Sequence, residues 1–277
     1  MVMQQDVEIA ELRRLTEFVK ERYGYDFTNY AMSSFKRRVQ RILELYKIQS
    51  VDVLIRRFDQ EQDFLDLFLS EITVNVTEMF RDPSFWREVR DQVIPNILLN
   101  HDKISIWHAG CSSGEEVVSM AITLKEMGVL HKANIIATDI DRPVLDRAKR
   151  SIYNAKNMEL NEKNYIRFQG AKNLGDYYHT KDGKAYIDQE LIKDVSFRTY
   201  DLVKGSVFNK FDLILCRNVM IYFNQKLQND VLRRLHESMF KYGYLAIGSK
   251  ESLIWCDISN KFIVVNNEEK IYKKIKE

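Results

Sequence analysis

Cysteine is scarce in this sequence, and the number and spacing of the cysteines argue against a fold stabilised by disulfide bonds. The 277 residues include three cysteines, and none forms a CxxC pair with another. An odd number of widely spaced cysteines is typical of proteins from a reducing compartment. We therefore expect no disulfide framework and a cytoplasmic location.

Histidine is nearly as rare, and its distribution gives no sign of a metal site. The five histidines are scattered along the chain and share no ligand spacing with the cysteines. They are His101, His108, His131, His179 and His236. The sequence therefore predicts no metal centre.

Long apolar runs are also missing. No stretch reaches the roughly 18 apolar residues that a membrane-spanning helix needs, and no apolar run follows the charged amino terminus. The sequence thus predicts neither a signal peptide nor insertion into a membrane. With 45% hydrophobic residues, the chain still has enough apolar surface to form a substantial core, so we expect a soluble, folded protein.

Net charge is close to neutral, but basic residues are concentrated near the amino terminus. The formal net charge is +2, whereas residues 13–57 contain 11 Lys or Arg against 5 Asp or Glu. A helix predicted in this region carries basic residues that fall largely away from its apolar positions. These residues are Lys36, Arg37, Arg38 and Arg41. This basic face is either a docking surface for an acidic partner or an ordinary solvated helix face.

The apolar pattern divides the chain into a helical part and an alternating part. Between residues 7 and 72, apolar residues recur at intervals of three and four, which predicts helices without intervening strands. Asp82-Pro83 then predicts another helix, with the aspartate at its cap and the proline in its first turn. The predicted domains are a helical domain at 1–72, a linker with a connecting helix at 73–102, and a second domain at 103–277.

From Lys103 onward, predicted strands alternate with predicted helices. The strands are Ile104–His108, Asn134–Thr138, Phe211–Cys216 and Tyr244–Gly248, with a terminal hairpin of Phe262–Val265 and Lys270–Lys274. The helices are Glu115–Met127, Pro143–Arg150 and Gln225–Met239. This order predicts an α/β fold with a doubly wound, mostly parallel sheet. Residues 165–197 are less regular, and their glycines predict a small antiparallel β excursion.

The segment Ile104–Glu116, ISIWHAGCSSGEE, runs from a predicted buried strand through a turn of small residues into a helix that begins with two carboxylates. Two glycines in the turn are a weak signal for a dinucleotide site, and the absence of GKS and GKT excludes a P-loop. Glu115 and Glu116 would repel a pyrophosphate at this helix start but not an amino group or hydroxyls. The segment therefore favours S-adenosylmethionine over NAD or a nucleoside triphosphate, unless the carboxylates only complement the helix dipole.

Charged residues also follow two other predicted strands, where sites lie in open α/β sheets. Asp139 ends the second strand 25 positions after Gly114, close to the spacing at which such folds bind a ribose. Asp141 is then available to cap the next helix. Arg217 follows the strand Phe211–Cys216, and an arginine there is costly to desolvate without an anionic partner. It is either a ligand for a substrate carboxylate or a surface arginine beyond the strand.

Four segments along the chain form a recognisable series: NVTEMFR at 75–81, AGCSSGEE at 109–116, ATDID at 137–141 and CRNVMIYF at 216–223. Together and in this order, they resemble the chemotaxis receptor methyltransferase (CheR) family. The resemblance spans nearly the whole chain and implies a class I, Rossmann-like methyltransferase fold with a small helical amino-terminal domain. It also implies that 165–197 corresponds to a small β-subdomain, which in some members holds a tethering peptide of the receptor.

The family resemblance implies methyl transfer from S-adenosylmethionine to glutamate side chains on receptor cytoplasmic helices. The products would be glutamyl methyl esters and S-adenosylhomocysteine. The implied cofactor-binding residues are Asn75, Thr77, Arg81, Glu116, Asp139, Asp201, Leu202, Arg217 and Asn218. The implied methyl-transfer residues are Arg81, Arg217 and Tyr222. Our hypothesis is that the two arginines orient carboxylates while Tyr222 hydrogen-bonds near the reacting centre.

Two departures from the family pattern qualify this assignment. Asp201 stands where the family commonly has asparagine before Leu202, which puts one adenosyl contact in doubt. Val117-Val118 replace the usual Pro-Tyr after the two glutamates, and we expect this change to affect packing more than chemistry.

Two other functions remain open on the sequence alone. The basic amino-terminal region would suit a nucleic-acid methyltransferase, and a cofactor-binding signalling module without catalysis would share the same fold. The three prolines are never adjacent and none precedes a cysteine, so the Pro-Pro and Pro-Cys motifs of common base methylases are absent. We therefore expect no binding to nucleic acid. Following the resemblance, we expect a monomer that docks on receptor cytoplasmic domains, with the basic helix as the candidate contact.

Overall fold

The computed structural model describes residues 7–61, 63–73 and 75–276. These residues form a bundle of helices, a seven-stranded sheet with helices on both faces, and a separate three-stranded sheet. Within these ranges, no helix is both long enough and apolar enough to cross a lipid bilayer.

The amino-terminal helices form a core of their own. They are α1 (Ile9–Tyr23), α2 (Met32–Leu45), α3 (Val51–Gln60) and α4 (Phe64–Ile72). Apolar residues three and four positions apart bring one stripe of each helix inward, and Leu12, Val39, Phe58 and Phe68 are buried where these stripes meet. The helices predicted between residues 7 and 72 are confirmed in the residues that the structure describes.

A second helical stretch leads into the sheet, and one expectation for it was wrong. It consists of α5 (Pro83–Glu88), a π-helical turn (Val89–Val93) and α6 (Ile94–Leu98). Pro83 lies in the first turn of α5 as predicted, but the Asp82 side chain does not cap the helix. Asp82 has a left-handed backbone with φ of 55°, and its carboxylate accepts a hydrogen bond from Arg217 instead.

The large sheet has the strand order β6-β2-β1-β7-β8-β10-β9. Its strands are β1 (Ile104–Ala109), β2 (Ala133–Asp139), β6 (Ser196–Thr199), β7 (Phe211–Cys216), β8 (Met239–Ile247), β9 (Phe262–Asn266) and β10 (Ile271–Lys274). The first five strands in this order pair in parallel, and β10 pairs antiparallel with both β8 and β9. The predicted mostly parallel sheet and terminal hairpin are therefore confirmed. Strand β1 lies between β2 and β7, which places the switch in strand order at its carboxyl end.

Two apolar layers cover the faces of this sheet. The helices α7 (Glu115–Glu126), α8 (Arg142–Arg150), α9 (Ala155–Phe168) and α10 (Gln225–Glu237) contribute to them. Successive side chains of a strand point to opposite faces. Ile104 and Ile106 accordingly belong to one buried cluster, while Trp107 and Ala109 belong to the other.

The three-stranded sheet differs from the predicted excursion at 165–197. Its strands are β3 (Ile152–Asn154), β4 (Tyr178–Lys181) and β5 (Lys184–Ile187), in the antiparallel order β3-β5-β4. The sheet begins earlier than predicted, at Ile152. Asn154 ends β3 and also caps α9, because its side chain accepts a hydrogen bond from the Lys156 amide. Residues 165–168 are therefore helical, and Ser196 belongs to the large sheet.

The last long helix is also shorter than predicted. We expected it to extend to Met239, but α10 ends at Glu237 and Met239 begins β8. The Ser238 amide closes the helix by bonding the carbonyls of Arg234 and Leu235, and Met239 then pairs with Phe211 of β7.

A glycine before α7 combines an unusual backbone with close packing. Gly114 has φ of +92°, and a Cβ atom at this position would lie 2.9 Å from the Cβ of Ala148 on α8. Gly128 also has a positive φ, +72°, but a Cβ there would meet nothing within 4 Å. Of these two positions, Gly114 needs glycine for both conformation and space, whereas Gly128 needs it for conformation alone.

We expect Gly114→Ala to destabilise the protein more than Gly128→Ala. Both variants pay the cost of a left-handed alanine, about 1–2 kcal/mol, and Gly114→Ala adds an overpacking cost of about 1–3 kcal/mol. Urea denaturation of the two variants and the parent chain measures the difference in the free energy of unfolding. Equal losses would show that α8 moves away from the added methyl group without cost.

Candidate active site

One cavity lies at the carboxyl ends of β1, β2 and β7. Its volume is about 1020 Å³ when the part open to solvent is included. All ten residues that the sequence and the family resemblance assign to the site line it: Asn75, Thr77, Arg81, Glu116, Asp139, Asp201, Leu202, Arg217, Asn218 and Tyr222. We call this space the site cavity.

The turn after β1 fixes the first wall of the site cavity. The amides of Gly110 and Cys111 both donate to the carbonyl of Thr138 at 2.9 Å, which ties the turn to the end of β2. Gly110 has φ of +85°, and a Cβ there would lie 2.7 Å from Cγ2 of Val219 on the opposite wall. The backbone of β1 therefore turns sharply under the cavity.

Asp139 is held at the end of β2 by backbone donors. Its carboxylate accepts hydrogen bonds from the amides of Ser112 at 2.8 Å and Asp141 at 3.0 Å. Burial raises the pKa of Asp139 to about 6, even though these hydrogen bonds lower it. Asp141 caps α8 by accepting from the Val144 amide, as predicted, and Asp139 lines the site cavity, where its contact with a ribose stays a prediction.

The two glutamates that begin α7 have different surroundings. Glu115 accepts a hydrogen bond from the Ser113 hydroxyl at 2.7 Å, and burial raises its pKa to about 7. Glu116 lines the site cavity, 2.9 Å from Nδ1 of His108 and 3.3 Å from Nη1 of Arg217. Burial alone would raise the pKa of Glu116, but these two partners lower it overall. Glu116 is therefore more fully ionised than Glu115 at neutral pH.

Arg217 is buried, so the interpretation of a surface arginine is wrong. Only 3% of its side chain is exposed. Nη2 donates to Asp82 at 2.6 Å, Nη1 donates to Glu116, and the guanidinium lies 3.9 Å from the centre of the Phe85 ring. Its anionic partners in the structure are thus two carboxylates of the chain itself. Nε is buried and has no hydrogen-bond partner among the described residues.

Residues 75–81 form a second wall between α4 and α5. The Asn75 side chain donates to Asp141 at 2.8 Å. Further along, the amides of Met79 and Phe80 donate to Asn161 of α9 and Ser119 of α7. These anchors fix the segment that carries Thr77 and Arg81 along the cavity.

The third wall follows β7, and a carboxylate that sequence reasoning missed holds it in place. Glu251 is buried and accepts hydrogen bonds from the amides of Asn218 and Ile221, both at 3.1 Å, and from that of Gly248. Burial raises its pKa, while the amide donors lower it. An acidic residue shortly after the predicted strand Tyr244–Gly248 was the available sequence signal, the same one that identified Asp139.

Tyr222 links this wall to the helical bundle. Its carbonyl accepts a hydrogen bond from the Ala31 amide at 2.8 Å, one residue before α2 begins. Burial raises the pKa of Tyr222, whereas the positive charges of Arg38 and Arg81 lower it. The basic helix therefore begins beside the site cavity, a proximity that sequence spacing could not indicate.

Asp201 lies on the wall that follows β6. Its carboxylate accepts a hydrogen bond from the Val203 amide at 2.7 Å, and burial raises its pKa. Asp201 and the adjacent Leu202 both line the site cavity despite the departure from the family asparagine.

The polar groups of the site cavity fit a nucleoside cofactor without phosphates. The carboxylates of Glu116, Asp139 and Asp201 are acceptors for hydroxyl and amino groups, and Ser112 Oγ is buried without a partner in the described part of the chain. The acidic start of α7 disfavours a phosphate at the place where such folds usually bind one. Among the described residues, no three His, Cys, Asp or Glu side chains form a group that could hold a metal ion.

Comparison with known proteins decides the family. Residues 10–73 match the profile described as "CheR methyltransferase, all-alpha domain", and residues 75–271 match "CheR methyltransferase, SAM binding domain". The chain belongs to the CheR methyltransferase family. It therefore has the class I methyltransferase fold, and its cofactor is S-adenosylmethionine.

Three CheR relatives align with most of the chain. A Pseudomonas putida protein named "Putative methyltransferase Cher3" is 40% identical over 264 residues, covering 95% of this chain and 96% of the relative. The "Chemotaxis protein methyltransferase" of Listeria innocua is 33% identical over 241 residues, covering 86% and 88%. The "Chemotaxis protein methyltransferase 1" of Vibrio cholerae is 29% identical over 279 residues, covering 96% and 97%. The similarity includes both the helical and the cofactor-binding parts.

The raised pKa of Asp139 predicts that cofactor affinity depends on pH. Its folded-state pKa of about 6 lies above its ordinary value of 3.8, so folding favours the protonated form between these values. An ionised carboxylate accepts hydrogen bonds from ribose hydroxyls more strongly than a neutral one. We expect affinity for S-adenosylhomocysteine to rise from pH 5 to pH 7, as measured by isothermal titration calorimetry.

Asp139→Asn is the control for this pH dependence. The amide keeps the size of the side chain but does not ionise, so we expect weaker binding and a smaller rise with pH. An unchanged rise in Asp139→Asn would assign the pH dependence to another group, and Asp201 would be the first to test because it lines the same cavity with a raised pKa.

Proposed function

We propose that this CheR methyltransferase transfers methyl groups to glutamate side chains of chemotaxis receptor cytoplasmic helices in the cytoplasm. One observation carries the proposal: Arg81 and Tyr222 both line the site cavity, and the Tyr222 carbonyl accepts a hydrogen bond from the Ala31 amide, directly before the basic helix α2. An anionic acceptor is attracted to such a position. The names of the Listeria and Vibrio relatives support receptor methylation as the activity.

The side chains of the site cavity divide into holding and positioning roles. Asp139, Glu116 and Arg81 all line the site cavity, and we assign them to the ribose hydroxyls, an amino group and a carboxylate, respectively. When bound, S-adenosylmethionine supplies an electrophilic methyl group on a positively charged sulfur. The buried Arg217 keeps the Glu116 carboxylate oriented through its Nη1 contact.

The acceptor needs little acid–base assistance. A glutamate with an ordinary pKa of about 4.3 is already ionised near neutral pH, so no residue has to remove a proton from it. The main contribution of the chain is then to hold the acceptor oxygen in line with the methyl carbon, and effective molarities of about 10⁵ M or more are reached when such geometry is good. Tyr222 and Arg81 are the residues that we assign to this orientation.

The direct test uses labelled S-adenosylmethionine and purified receptor cytoplasmic fragments from the same organism. We expect the label to enter the receptor fragment and to be released as methanol by mild base, because carboxylate esters hydrolyse readily. Fragments in which the acceptor glutamates are replaced by alanine are the control and should remain unlabelled. A base-stable methyl group would contradict the ester assignment, and labelling of nucleic acid instead would contradict the substrate class.

The basic helix α2 contributes unequally to this proposal. Arg37 and Arg38 both act electrostatically on Tyr222, whereas Arg41 lies 3.7 Å from Glu71 of α4. Lys36 lies on the same helix and is half-buried. We therefore assign receptor attraction mainly to Arg37 and Arg38, and less to Arg41.

We expect the double variant Arg37→Gln/Arg38→Gln to raise KM for the receptor fragment by about tenfold while leaving kcat nearly unchanged. Two lost charges weaken the attraction of an acidic helix, and the difference from the parent should shrink at high salt. The matched control is Arg14→Gln/Arg22→Gln, which removes the same charge from exposed positions of α1. Equal effects of both variants would show that net charge, and not the position beside Tyr222, governs receptor binding.

A further inference from the structure

The loop after β8 exposes two large apolar side chains next to each other. Trp255 is 79% exposed and Ile254 is 71% exposed. Ile221, in the segment that follows β7, is a third exposed apolar side chain at 38%. Single exposed apolar residues are ordinary on protein surfaces. Tryptophan, however, is one of the residue types most enriched in the hot spots of protein interfaces.

This loop is fixed to the protein on both sides of Trp255. Leu253 and Cys256 are buried, and the Cys256 amide bonds the Leu253 carbonyl at 2.9 Å. Asp257 exchanges two hydrogen bonds with Asn229 of α10. A side chain on such an anchored loop loses little additional backbone freedom when a partner binds.

The same loop is bonded to the segment that carries Tyr222. Glu251 accepts from the Ile221 amide at 3.1 Å, and the Gln225 side chain donates to the Trp255 carbonyl at 3.0 Å. On its other side, this segment accepts the hydrogen bond from Ala31 that precedes the basic helix. The loop and the residue that precedes the basic helix are therefore both hydrogen-bonded to the segment that carries Tyr222.

We propose that Ile221, Ile254 and Trp255 form an apolar patch that binds the receptor helix beside its methyl-accepting glutamate. This inference rests on the proposed function and names a second element of substrate recognition. A helix that presents its carboxylate to Tyr222 comes near both the basic helix with Arg37 and Arg38 and the apolar patch, because both elements are bonded to the segment of Tyr222. The matching partner is an amphipathic helix with an acidic edge and at least one apolar side chain three or four positions from the acceptor glutamate.

A second copy of this chain does not suit the patch. The patch adjoins the segment of Tyr222, so another copy seated there would cover the approach to the site cavity that every acceptor must use. A substrate helix can cover the patch without blocking the site cavity, because it covers the patch only while its own glutamate occupies the site.

The test compares Trp255→Ala and Ile254→Ala with the control Leu99→Ala. Leu99 is similarly exposed, at 80%. It precedes β1, whereas Trp255 follows β8, so the two residues lie at opposite ends of the parallel strands. For Trp255→Ala we expect KM for the receptor fragment to rise at least about tenfold, with kcat and S-adenosylhomocysteine affinity unchanged. Trp255→Phe should recover most of the affinity. Direct binding of the fragment to the protein loaded with S-adenosylhomocysteine, measured by calorimetry, should follow the same order.

The outcomes separate the patch from the proposed function. Parent-like KM and fragment binding in both Trp255→Ala and Ile254→Ala would overturn the patch while leaving methyl transfer intact. Fragment binding that depends on Trp255 without any methyl transfer would support the patch and contradict the proposed function. A parent protein that neither binds nor methylates the receptor fragment would overturn both.

Discussion

The buried guanidinium of Arg217 is the interaction on which the site cavity depends. It joins Asp82 before α5 to Glu116 at the start of α7, and Arg217 itself follows β7, so three separate walls meet at one positive charge. Removing a charged side chain from water costs several kcal/mol, and two carboxylates together with the face of Phe85 offset this cost. Loss of Arg217 would leave two neighbouring carboxylates without their shared cation. The network therefore fixes the relative positions of walls that are distant in sequence.

A second set of contacts gives the walls their shape. Backbone amides of the turns point at buried carboxylates: those of Ser112 and Asp141 at Asp139, and those of Asn218 and Ile221 at Glu251. Each carboxylate replaces part of its lost hydration with fixed donors, and each donor loses its freedom to move. The cavity is thus preorganised by its own backbone, which suits a reaction that depends on alignment more than on proton transfer.

Local patterns predicted the fold better than they predicted the contacts within the site. The strands β1, β2 and β7 and the carboxylate at the end of β2 were predictable because hydrophobic runs and strand-end residues are short-range signals. The contact between Arg217 and Asp82 was not predictable, because Asp82 lies 135 positions away and its sequence context indicates a helix cap. The small sheet was placed too late for a related reason, because its first strand is only three residues long and leads directly into α9. Glu251 was missed because its function depends on amides of another loop.

The backbone hydrogen bond between Ala31 and Tyr222 couples the helical bundle to the site cavity. The helical bundle and the segment that carries Tyr222 share main-chain contacts, including a second bond from the Asn224 amide to the Asn29 carbonyl. A substitution that reshapes the chain at Asn29–Ala31 therefore also displaces the segment that carries Tyr222, although the two segments are distant in sequence.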